Sequence, residues 1–168
     1  ARLAPAADEF TGNSNLPRQL RVRESVRLNG RATFTQADAL TDTLKVDAVC
    51  AGAFRLESAP VSGISAAGSR PEGSFSLESR TYQVGYNLML PAWLRNLAAP
   101  VTLSSSHAGW CGLNRESLFM QTGEAAGVAA AICIRYNCEV DEIPVRELQA
   151  LLRRNGAILS SDEARPWE

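Results

Sequence analysis

His107 is the only histidine in 168 residues, and it directly follows Ser104, Ser105 and Ser106. A single imidazole cannot build a histidine metal cluster, but it is the usual side chain for taking or giving a proton near neutral pH. A hydrolase would pair it with Ser106, although neighbours in sequence rarely reach triad geometry. The bland alternative is a structural hydrogen-bonder. Cys50, Cys111, Cys133 and Cys138 lack zinc-type spacing. The expected state is free buried thiols, as in a cytoplasmic compartment; Cys133 and Cys138 can pair only if the helix around them stops near Tyr136. Arg23 and Glu24 read as an ion pair that stabilises the fold.

The second chemical feature is the stretch Arg115–Tyr136, which reads as one long helix or a glycine-rich turn running into one. From Ala125 to Ile134 it carries no charge, and charged residues flank that run, Glu116 and Glu124 before it and Arg135 after it. A helix apolar all round is expected to be buried all round. Gly123, Ala125, Ala126, Gly127, Ala129, Ala130 and Ala131 would let backbone or a flat ligand approach closely. Gly123 and Gly127 each cost about 1 kcal/mol of helix propensity relative to Ala, which something must offset. Two readings stand: tight packing of helix on sheet, or a helix start aimed at an electron-rich ligand, favoured by free N–H groups and the helix dipole.

The segment from Met120 to Ala131 resembles the C-terminal signature of FAD-dependent oxidoreductases of the glutathione-reductase-like superfamily. It is similar, more narrowly, to a bacterial group whose chains end in a Leu-Gln-x-x-Leu helix closing on Gly-Ala, here Val145–Ala157. Leu16–Ser25 and Asn29-Gly30 resemble that group's Pro-Arg and Arg-Glu-Ser segment, so the resemblance spans about residues 16–159. It implies that the helix start faces the pyrimidine side of the flavin, with Gly123, Glu124, Ala125, Ala126 and Gly127 against the cofactor. It also implies that Arg115 touches flavin or substrate, a structural ion pair being the equal alternative, that His107 lies beside the flavin where it can act in catalysis, and that Trp110 stacks near the ring or packs. Glu124 stands where the family commonly has Gln. Glu57-Ser-Ala-Pro60 stands where the group often has Asp-x-His, and Pro100-Val101 where the family usually has Gly-Arg.

These residues must be positioned by one domain's worth of chain. At this length it should bury somewhat under about 70% of its extended surface. The formal net charge is −1, with no basic stripe for nucleic acid and no apolar run approaching the ~18 residues of a membrane span. The start, Ala1–Pro5, has neither initiator Met nor signal peptide and reads as a processed or truncated end.

The chain divides into an arm at 1–15, a strand-rich region at 16–103, the long and terminal helices at 104–159, and a loose tail at 160–168. Gln19–Leu28 alternates as a strand, Asn29-Gly30 marks a tight turn, and Arg31–Phe34 reads as the returning strand of a hairpin. Thr35 caps a short helix through Leu40, and Val46–Leu56 is a buried strand. Ser58–Ser76 is a loop, Ser79–Leu90 a strand, and Asn96–Leu103 a strand made irregular by Pro100. Pro144 opens the final helix, Leu148, Leu151 and Leu152 form its stripe, and Gly156 stops it. The fold class is mixed α/β: mostly antiparallel or mixed strands, then a long buried helix and a terminal helix.

No Gly-x-Gly-x-x-Gly occurs, so the unit that holds most of a dinucleotide is missing. The resemblance then implies the C-terminal subunit or fragment of a flavoprotein. A larger chain with that motif would be its partner in a hetero-oligomer, FAD the cofactor, and hydride transfer from a small organic substrate to flavin N5 the reaction. The alternative is a non-catalytic interaction or stabilising subunit derived from the same fold.

Overall fold

The computed structural model describes residues 24, 26–58 and 75–163. In chain order its elements are helix α1 (Gln36–Leu40), strands β1 (Ala48–Gly52), β2 (Leu56–Glu57), β3 (Ser76–Leu77) and β4 (Tyr82–Gly85), and helices α2 (His107–Leu113), α3 (Glu116–Tyr136) and α4 (Val145–Arg154). β1 pairs antiparallel with β4, and β2 with β3. This is the mixed α/β class predicted from sequence, with small sheets and a dominant long helix.

α1 forms because Thr35 and Asp38 close its first turn: Thr35 N and Oγ1 both donate to Asp38 Oδ2 at 2.8 Å. Lys45 Nζ reaches the other oxygen of Asp38 at 2.7 Å. The strand predicted over 46–56 splits into β1 and β2, and the one over 79–90 is β4 followed by a 3₁₀ turn at Tyr86–Leu88. The turn ends the pairing because Tyr86 and Asn87 N–H groups turn to Asp47, at 2.8 Å to its carbonyl and 2.9 Å to its carboxylate.

The hairpin expected across Asn29-Gly30 does not form. Arg31 N instead donates to Leu90 O at 2.9 Å, Leu28 N to Thr102 O at 2.9 Å, and Phe34 N to Ser104 O at 3.0 Å. Residues 28–34 are thus held by two distant segments, which outcompete a local turn because they also bury Phe34 completely. The Gln19–Leu28 strand lies mostly outside the described residues, as do most of the 58–76 loop and the arm at 1–15; Val26–Leu28 is not strand. Residues 96–102 form no strand either, and the Pro100 carbonyl accepts Thr122 Oγ1 at 2.7 Å.

α2 was not foreseen. Gly109 and Gly112 weaken its propensity, yet Gly109 is required: a Cβ there would lie 2.3 Å from the Phe34 carbonyl oxygen. α2 is pinned from the other side by Tyr82, whose hydroxyl donates to Gly112 O at 2.8 Å. α4 begins one residue after Pro144, which occupies the cap position, and Gly156 follows it at φ +95°. One hydrophobic cluster joins Phe34, the β1–β4 pair, α2, α3, α4 and Leu159.

Candidate functional site

α2 delivers the single imidazole. Ser106 caps it, its Oγ accepting from Gly109 N at 3.1 Å, which places His107 in the first turn. Ser106 is thereby committed to the cap, and the imidazole pairs elsewhere. His107 Nδ1 lies 2.6 Å from Glu24 Oε2, and Nε2 lies 3.2 Å from Ser58 Oγ. A carboxylate can only accept, so in the neutral ring the Nδ1 proton points at Glu24 and the Nε2 lone pair faces the Ser58 hydroxyl. The second oxygen of Glu24 pairs with Arg27. Arg23, the partner expected for Glu24, lies outside the described residues. The Phe75 ring stands edge-on to the imidazole at 6.4 Å, and Cys111 Sγ donates to the His107 carbonyl at 3.3 Å.

Arg115 sits between α2 and α3. It donates to Arg55 O at 3.0 Å, approaches Glu57 at 3.6 Å, and lies over the Phe54 ring at 5.7 Å. Its Nε is buried with no hydrogen-bond partner among the described residues. Glu57 and Ser58 are consecutive at the end of β2, one engaging Arg115 and the other His107. That strand end therefore ties together the two residues singled out from sequence. The signal for Ser58 was present only as the departure from Asp-x-His at this place. Trp110 packs against Phe119, ring centroids 5.9 Å apart, so packing is its observed role.

α3 is one continuous helix, but it is not buried all round. Leu118, Thr122, Ala125, Ala129 and Ile132 form one stripe in the core. The opposite face is open: Gly127, Ala130 and Ala131 are exposed, and Met120 and Ile134 are 74% and 84% exposed. The sequence lacks a polar face because small and apolar residues occupy both sides, so patterning could not separate core from surface. The candidates divide accordingly. Gly123, Glu124, Ala126 and Gly127 are at least partly open, whereas Ala125 is fully buried and its side chain faces the core.

A second expectation also shifts. The helix starts at Glu116, so Gly123–Gly127 lies two turns inside it rather than at its start. Backbone N–H groups there serve the helix ladder, and the dipole's effect fades beyond the first turn. The positive end of α3 is instead next to Arg115. Glu124 accepts from Asn155 Nδ2 at 3.0 Å, an exposed tie to the end of α4.

All four cysteines are free; Cys50 and Cys111 are buried, Cys133 and Cys138 half-buried. Burial pushes the Cys50 thiol up to about 12. Among the described residues no cluster of His, Cys, Asp and Glu could hold a metal ion.

No curated protein and no solved structure matches this chain. The family model described as FAD dependent oxidoreductase matches residues 4–152. That span takes in the Ser58–His107–Glu24 contacts, Arg115, and all of the open helix: the chain belongs to the FAD dependent oxidoreductase family, and its cofactor is FAD.

Proposed function

We infer that this chain supplies the C-terminal, flavin- and substrate-facing part of an oxidoreductase whose dinucleotide-binding fold lies outside these 168 residues, on a partner chain or on the rest of a precursor. The observation that carries this reading is the open face of α3. At both Gly123 and Gly127 a Cβ would meet nothing within 4 Å among the described residues, so a flat group can come against the helix backbone. The sequence has no Gly-x-Gly-x-x-Gly to hold the rest of such a cofactor.

The residues present fit a flavin ring. The glycine-lined face gives close approach, and Arg115 offers a buried N–H without a partner among the described residues, suited to a carbonyl oxygen. When bound, FAD supplies the two-electron acceptor for hydride from an organic substrate. Arg115 and the adjacent start of α3 place positive charge where negative charge is to be held. His107 is the base on this side of the site, its Nε2 the atom that gains a proton as the substrate loses one. By length and composition α3 could also cross a membrane. Its core stripe and the Glu124 carboxylate halfway along the open face favour a protein and cofactor partner instead.

The test is co-purification with a chain bearing the dinucleotide motif, followed by visible absorbance and FAD extraction. Flavin retained by the pair and by neither chain alone is the expected result. A complex without flavin would favour the interaction-subunit alternative. A monodisperse 168-residue chain that binds FAD alone would overturn the reading.

A further inference from the structure

The contacts around His107 form a chain of three groups drawn from distant parts of the sequence. Glu24, 83 residues from His107, holds Nδ1 at 2.6 Å, and Ser58, 49 residues away, meets Nε2 at 3.2 Å. This is the arrangement in which a base is oriented on one side by a carboxylate and presents its lone pair to a hydroxyl on the other. The chain is also partly shielded. Ser58 is buried, and the His107 and Glu24 side chains are 35% and 27% exposed. Arg27 pairs with the remaining Glu24 oxygen, which helps hold that carboxylate directed at the ring.

We propose that Glu24, His107 and Ser58 form a proton relay whose substrate-side atom is Ser58 Oγ, taking its proton from the hydroxyl or amine of a small organic substrate. In the step, the substrate O–H or N–H bond breaks and its electron pair stays on the heteroatom. The released proton goes to Ser58 Oγ, while the Ser58 proton moves to His107 Nε2. Glu24 remains ionised and stabilises the imidazolium through Nδ1–H. His107 is the base, Ser58 the catalytic hydroxyl and Glu24 a positioning residue. A proton acceptor that begins at a neutral hydroxyl selects alcohols and amines over substrates lacking an exchangeable X–H beside the oxidised carbon. That substrate class rests on the oxidoreductase reading; the construction of the relay does not.

Two measurements on the full chain test it, alone or with its partner. Because His107 is the only histidine, histidine ¹⁵N labelling gives one pair of ring nitrogens. In the neutral ring, wild type is expected to show a protonated Nδ1 and a bare Nε2. Glu24→Gln loses that preference, Glu24→Asp restores it, and Ser58→Ala keeps it. A fluorophosphonate, which reacts with base-activated hydroxyls, is expected to label Ser58. Labelling should slow by about a hundredfold in Glu24→Gln and disappear in His107→Asn. A bare Nδ1 in wild type, no label on Ser58, or labelling indifferent to Glu24→Gln would overturn the relay. An intact relay in a protein that oxidises no alcohol or amine would instead reject the substrate assignment and leave the relay standing.

Discussion

Replacing Gly127 with leucine separates a helix face open for a ligand from one that is merely surface. A Cβ at Gly127 meets nothing within 4 Å among the described residues, so the new side chain starts from open space. The substitution removes a glycine from the interior of a 21-residue helix, which raises stability by about 0.8 kcal/mol from propensity alone. For a chain of this size that is an increase in Tm of roughly 2–3 °C. In the assembled protein the same side chain must enter a close-packed contact, where overpacking costs about 1–3 kcal/mol. Flavin or partner affinity should then fall roughly 5- to 150-fold. The assay pairs thermal unfolding of the chain with FAD content of the co-purified complex. A Tm that falls by several degrees would show Gly127 to be packed within the chain. Unchanged flavin content at unchanged or raised Tm would show that nothing approaches this face closely.

Asp38→Ala should destabilise the chain by about 1 kcal/mol at neutral pH through loss of the α1 cap. Burial raises the Asp38 carboxyl, but hydrogen bonds from Lys45 and Thr35 outweigh it and leave the group below its ordinary 3.8. Its stabilisation is therefore complete above that value and lost as pH falls through the lower folded one; urea unfolding across the acid range should show the two proteins converging in strong acid. Cys50, fully buried with its thiol pushed up to about 12, should be the last cysteine to react with a disulfide reagent, at the rate of unfolding, whereas half-buried Cys133 and Cys138 react first; rapid native modification of Cys50 would contradict its burial. Tyr82→Phe leaves the Gly112 carbonyl without its buried donor and should cost about 1–3 kcal/mol in chemical denaturation, with no cost at all if water reaches that carbonyl.

What the sequence alone determined is local or compositional. Thr35 and Asp38 stand at capping distance, so α1 could be read from it. α3 is unbroken from Glu116 to Tyr136, and the leucines of α4 recur on one face, so both helices were visible as patterns. The residues of the flavin signature are consecutive, so the family too was legible before any fold was known. Other features depended on pairs far apart in the chain. The Asn29-Gly30 turn signal lost to hydrogen bonds with Leu90 and Thr102, because burying Phe34 outweighs a two-residue preference. α2 was hidden by Gly109 and Gly112, the first of which is required by the Phe34 carbonyl pressed against it. Which side of α3 is open could not be read from a helix with small residues on both faces; contact with β1 and α4 decided it. The partners of His107 were chosen the same way. Ser106 is the adjacent hydroxyl, but a helix cap consumes it, and only folding brings Glu24 and Ser58 to the two ring nitrogens.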